Sequence, residues 1–185
     1  INFTSKKTRV SAVLTTLDAF GFLTITGGSF AFETSTVDLT AAATGGAAMT
    51  GATLTRIAVT IGSATVGAGG VGVAISGGQL VIASVTSATP LTDGRVFRAV
   101  DASLGSASLT GIDGLTVALS NIAVQLNTAA DKLVPATPVP ALNWTLVSEN
   151  GGAAGPVTVL DGLDAPHLIN FTSKKTRVSA VLTTL

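Results

Sequence analysis

The sequence predicts an all-β fold: an elongated, multi-stranded repeat unit with antiparallel hairpins, stacking into a β-solenoid-like or fibrous array. Three observations predict it. Apolar residues recur every second position, not at the helical spacing of about 3.6. The residues in those runs are Val, Ile, Thr and Phe, whose branched or flat side chains fit a pleated surface. The chain also ends as it begins: residues 1–17 read INFTSKKTRVSAVLTTL, and residues 169–185 repeat them without a change. The offset is 169 − 1 = 168 residues. The simplest account is a tandem array of period 168, of which residues 1–185 are one β unit plus a 17-residue overlap. A chain that starts at Ile1, not at a methionine, fits a piece of such an array.

Each element follows from its local pattern. Residues 8–16 alternate, with Val10, Ala12 and Leu14 on one face, and Ser5 to Arg9 mark the polar rim before that strand. Then comes Leu23-Thr-Ile25-Thr-Gly27-Gly28-Ser-Phe30-Ala-Phe32. A two-residue turn at Gly27-Gly28 would place Ile25 opposite Phe30 and Leu23 opposite Phe32, since glycine supplies the positive φ of such turns. The template returns at Val73–Ile82 around Gly77-Gly78, and at Val117–Leu126 around Asn121-Ile122, a poorer turn. A fainter copy starts at Val59 and runs through Ile61 to Val66. The spacing suits recurrent hairpins or β-arcs and leaves the two geometries open.

Between these copies, residues 37–41 and 95–104 alternate as strands, the latter with Phe97, Ala99 and Asp101 on one side. Residues 45–51 read as a turn region and residues 67–70 as a flexible connection. Pro135, Pro138 and Pro140 forbid a central strand, so residues 127–140 form the longest loop. Residues 157–160 are a short strand before the Asp161–Pro166 loop.

Composition narrows the chemistry. Charged residues are 11% of the chain, against roughly 25% in ordinary domains. The net charge of zero hides an asymmetry, because Lys6, Lys7, Arg9 and their copies Lys174, Lys175 and Arg177 crowd the ends. One period, residues 18–185, holds 7 basic and 10 acidic residues, a net of −3. An acidic array disfavours nucleic acid as a partner. No apolar run is long enough for a membrane-spanning helix. The absence of Cys removes disulfides and thiolate metal sites, and suits an exported protein.

No constellation of catalytic residues stands out, and no enzymatic activity is expected. The one histidine, His167, reads as a loop residue, and no serine lies in a Gly-x-Ser-x-Gly elbow. No cofactor is called for. Calcium is the one metal the sequence could serve, through Asp161 and Asp164 or the turn residues Asp93, Asp101 and Asp113, although Asp-Gly is by default a turn former. The Lys6-Lys7-x-Arg9 cluster reads as a solvated strand end that discourages wrong pairing. Trp144 reads as the anchor of a small core, within the sequon Asn143-Trp-Thr145.

The segments FGFLTITGGSFAFE, GVGVAISGGQLVIAS and VDASLGSASLTGIDGLTVALSNIAVQLNTAA, followed by LNWT, resemble repeat modules of giant secreted bacterial β-strand-repeat surface proteins. The resemblance covers roughly residues 19–146. It implies an extracellular or cell-surface location and a structural or adhesive role, and brings no catalytic residues.

The expected function is a structural repeat of an extracellular fibre or giant cell-surface protein, joined head to tail to identical neighbours through β-strand contacts. Phe3, Val10 and Leu14, with Phe171, Val178 and Leu182, are the expected contacts at the repeat junction. The alternative is a calcium-stabilised adhesin or carbohydrate-binding module, with its site in the 131–140 loop or around Asp161.

Overall fold

The computed structural model describes residues 7–184. In chain order the strands are β1 (Lys7–Ala19), β2 (Leu23–Leu39), β3 (Met49–Ala68), β4 (Val71–Thr86), β5 (Arg95–Thr110) and β6 (Ala118–Asp131). They continue as β7 (Val147–Glu149), β8 (Ala154–Gly155), β9 (Val157–Leu160), β10 (Pro166–Ile169) and β11 (Lys175–Thr184). One helical turn, α1 (Ala41–Thr44), follows β2 and takes Ala41 out of the strand expected over 37–41, β3 begins at Met49 inside the region 45–51 read as a turn, and a 3₁₀ turn spans Trp144–Leu146. The chain is all-β, as its periodicity predicts.

The six long strands form an antiparallel meander, β1 to β6 in sequence order, and β11 adds to the far side of β6. The sheet curls into a half-barrel. β7 and β8 lengthen the β2 side: β1 covers β2 as far as Ser35, and β7 pairs from Val37 to Leu39. β9 and β10 form a separate two-stranded hairpin. His167 lies within β10, so it is a strand residue and not the loop residue its Pro166 neighbour suggested.

The Gly-Gly templates are not turns. Gly27 and Gly28 lie inside β2, Gly77 and Gly78 inside β4, and Asn121 inside β6, each within one unbroken ladder. The true β3–β4 turn is Gly69-Gly70, both at positive φ (62° and 85°), between the paired Ala68 and Val71. This is the two-residue loop whose twist matches the flanking strands. What the templates mark is a transverse row of such residues, which we read as the line on which the strands bend. By register, Gly27 stands beside Gly62, Gly62 beside Gly77, Gly77 beside Gly105 and Gly105 beside Asn121.

The row alternates two devices. On β2, β4 and β6 the residue is left-handed: Gly27 at φ 63°, Gly77 at 59° and Asn121 at 49°. On β3 and β5 the glycine serves close approach. A Cβ on Gly62 would fall 2.9 Å from the Thr26 carbonyl oxygen, and one on Gly105 would fall 2.9 Å from that of Ser76. Glycine kinks of this kind let a long sheet curve. Asn121 fits because asparagine tolerates the left-handed region better than other side chains.

Above the bend, one face of the sheet is covered. On β2, Ala31, Glu33, Ser35, Val37 and Leu39 are buried, with Ala52, Leu54, Arg56 and Ala58 on β3, Val81, Ala83 and Val85 on β4, and Phe97 and Ala99 on β5. The cover comes from the segment after β6: Leu142, Trp144, Val147, Val157, Val159, Ile169 and Phe171 complete one core cluster. Phe97 and Ala99, which the alternation of β5 puts on one side, are fully buried. β6 runs on to Asp131, so residues 127–131, expected in the loop, are strand, since the prolines begin only at Pro135; beyond it the segment forms no strand, and Pro135, Pro138 and Pro140 are exposed.

Candidate functional site

The duplicated segment makes both edges of the meander. Its first copy is β1 on β2, and its second is β11 on β6. Six antiparallel steps separate the two, an even number, so β1 and β11 run in the same direction. Their faces agree as well. Arg9 stands opposite the buried Glu33, and Arg177 stands opposite Gln125, two residues from the buried Asn127. In both places the arginine therefore belongs to the covered side, as alternation along a strand requires.

The junction residues expected from the sequence divide in two. Val10, Val178 and Leu182 are exposed at 58%, 74% and 54%, and Leu14 is half-buried. They lie on the edge strands, beyond which no further strand pairs among the described residues. Phe171 is only 6% exposed, because it belongs to the core of its own unit, where its carbonyl accepts the Trp144 N–H at 2.8 Å. Phe3 lies outside the described residues.

Of the basic cluster, Lys6 lies outside the described residues, and Lys7 and Arg9 are ion-paired in the first copy where a solvated strand end was expected. Lys7 Nζ lies 2.9 Å from Glu33 Oε2, and the Arg9 guanidinium pairs with Asp164 and donates to the Asp161 carbonyl at 2.7 Å. Glu33 also reaches Arg56 at 2.5 Å. Arg56 is 3% exposed and its guanidinium meets both oxygens of Glu149, at 2.5 and 2.8 Å, the Ser35 hydroxyl at 2.7 Å and the Thr158 carbonyl at 3.1 Å. This chain of charges ties β1, β2 and β3 to the covering segment.

Of the carboxylates considered for calcium, Asp161, Asp164 and Asp93 are held by other groups, Asp101 meets the Gln125 amide at 3.4 and 3.5 Å, and Asp113 is exposed. Buried Asp161 accepts the Leu163 and Ala165 N–H groups through Oδ1, and His167 Nε2 lies 3.3 Å from its Oδ2. Burial alone would raise the Asp161 pKa, but these donors outweigh it and hold the group below the usual carboxylate range. Burial likewise opposes ionisation of Glu149, and Arg56 overcomes it, so that carboxyl too is lowered. Asp93 is lowered chiefly by its hydrogen bond from Arg95. Among the described residues no three His, Cys, Asp or Glu side chains gather as a metal-binding group.

The second copy differs in its surroundings. Lys175 Nζ sits 5.1 Å from the centroid of the Phe171 ring, and neither Lys175 nor Arg177 has a salt-bridge partner among the described residues. β11 is instead secured through its root. Asn127, fully buried, accepts from Trp144 Nε1 at 2.8 Å and donates to the carbonyls of Leu142 and Ser173 at 2.9 and 2.8 Å. The Gln-Leu-Asn127-Thr and Leu142-Asn-Trp144-Thr motifs thus meet in space, and Trp144 anchors the core as its size suggests.

No family model, no curated protein and no solved structure matches this chain. Among the described residues no helix is long and apolar enough to cross a membrane.

Proposed function

We propose that the chain is a structural repeat of an extracellular fibre or giant cell-surface protein, joined head to tail to identical units through its edge strands. One observation carries this reading: an identical segment forms the two opposite edges of one sheet, in the same direction and with the same residues toward the covered side. A unit whose two edges are interchangeable can be extended without limit, and a contact that does not close on itself gives a filament. Repetition also satisfies edge groups that a lone unit leaves unpaired.

Five strands, and so six strand-to-strand steps, separate β1 from β11. At a strand spacing of about 4.8 Å, a continuous sheet would advance roughly 29 Å per repeat, before curvature. A two-period chain, residues 1–185 followed by another copy of residues 18–185, tests this. It should scatter X-rays as one rigid body with its two units abutting, and unfold at a higher midpoint than the single unit. Two modules tumbling independently, with the single-unit midpoint, would refute the reading.

A further inference from the structure

We propose that the boundary strand is shared, so that β11 of one copy occupies the β1 position on β2 of the next and is clasped there by charge. This rests on the head-to-tail reading and names its partner: the β2 edge of a second copy of this chain, with Glu33 and the 161–164 loop as the recognition surface. The sequence identity lets β11 make the pairs that β1 makes from Lys7 to Thr16. Lys175 would stand opposite Ser35, Arg177 opposite Glu33 and Val178 opposite Phe32, the places now held by Lys7, Arg9 and Val10.

Three observations support the shared strand. First, β11 uses one edge for β6, and the ladder on its other edge is open among the described strands. An inner strand such as β3 pairs on both edges by the same backbone alternation. Second, among the described residues Lys175 and Arg177 have no carboxylate partner, while their twins Lys7 and Arg9 hold Glu33 and Asp164. The acceptor is built for this pair, with a buried carboxylate already aligned by Arg56. Third, the covering segment leaves the position clear. β7 takes β2 only from Val37 onward, and Asn127 holds Ser173 at the root of β11, so the strand enters from its own unit's core.

In a single chain β1 has the advantage, because only Phe20, Gly21 and Phe22 separate it from β2 and keep its local concentration high. In a tandem chain the competition vanishes, since both roles fall to one segment.

The test weakens β1 in the full 185-residue chain and asks whether β11 of another molecule replaces it. Arg9→Glu with Val10→Pro opposes the Glu33 contact and the edge pairing. The expected result is concentration-dependent oligomers in sedimentation. With Phe32→Cys in one such chain and Val178→Cys in another, a disulfide should join the two. Adding Lys175→Glu and Arg177→Glu should return the protein to monomer. A folded variant that stays monomeric at millimolar concentration and forms no disulfide overturns the proposal. Should that variant unfold, Lys7→Gln with Arg9→Gln and the same cysteines gives the same two outcomes. If no disulfide forms while the two-period chain is still rigid, the repeat reading survives and the shared strand alone falls.

Discussion

At the residue scale, the covered face is held by a few polar groups that have little freedom to be lost singly. Arg56 joins β3 to Glu33, Glu149 and the Thr158 carbonyl, so its removal strands two carboxylates. Breaking a buried ionic group by deleting one partner costs about 3–5 kcal/mol. Arg56→Ala should lower stability by that amount in urea unfolding, and a loss under about 1 kcal/mol would show that water screens the group. Asn127→Ala leaves the Trp144 indole N–H and two carbonyls without their partner, and should cost on the order of 3 kcal/mol.

The pH dependence follows from the lowered carboxyls. Asp161 and Glu149 are more acidic folded than unfolded. The unfolded state therefore takes up protons first as pH falls. Their contribution is whole above about pH 5 and is lost as pH drops below about 4, through their folded values. Asp161→Asn and Glu149→Gln should each flatten the acid limb of stability against pH, measured by thermal melting. An unchanged limb would mean that other carboxylates govern it.

At the element scale, the bend row gives a sheet of such long strands positions at which it can curl. It also shows how far the sequence can be read. The three Gly-Gly or Asn-x templates are visible at once, and left-handed backbone at their first residue is as their composition suggests. Whether a left-handed residue reverses the chain or bends it depends on its neighbours. Gly62 and Gly105 settle that here, and their role appears only once the strands are in register. The strands over 95–104 and 157–160, the proline loop and the Trp144 anchor were legible, because each rests on local alternation, ring geometry or size. The Arg56 group was not. Glu149 lies 93 residues away, and nothing local in Thr-Arg56-Ile announces a buried charge.

The bend makes a paired prediction. Gly77→Val forces a β-branched residue to φ near 59° and should cost about 1–3 kcal/mol. Asn121→Gly keeps the left-handed backbone and should change stability by no more than about 0.5 kcal/mol. Equal losses at the two sites, measured by chemical denaturation, would mean the row is not a conformational device.

At the scale of the whole molecule, the proposed head-to-tail joining of one sheet through two matching edges would make stability depend on the number of units. Stability in stacked arrays is close to a sum of unit and junction contributions. Chains of one, two and three periods should therefore unfold at rising denaturant midpoints, with smaller gains at each step. Midpoints independent of length would place no favourable energy at the junction.

The meander has a consequence for load. In an array extended through its edges, tension runs across the strands, against the backbone bonds between neighbours. Each period would span roughly 29 Å of filament, yet its 168 residues could pay out to about 570 Å when drawn straight. A fibre of such units would give way one module at a time under force, lengthening roughly twentyfold before any covalent bond is strained.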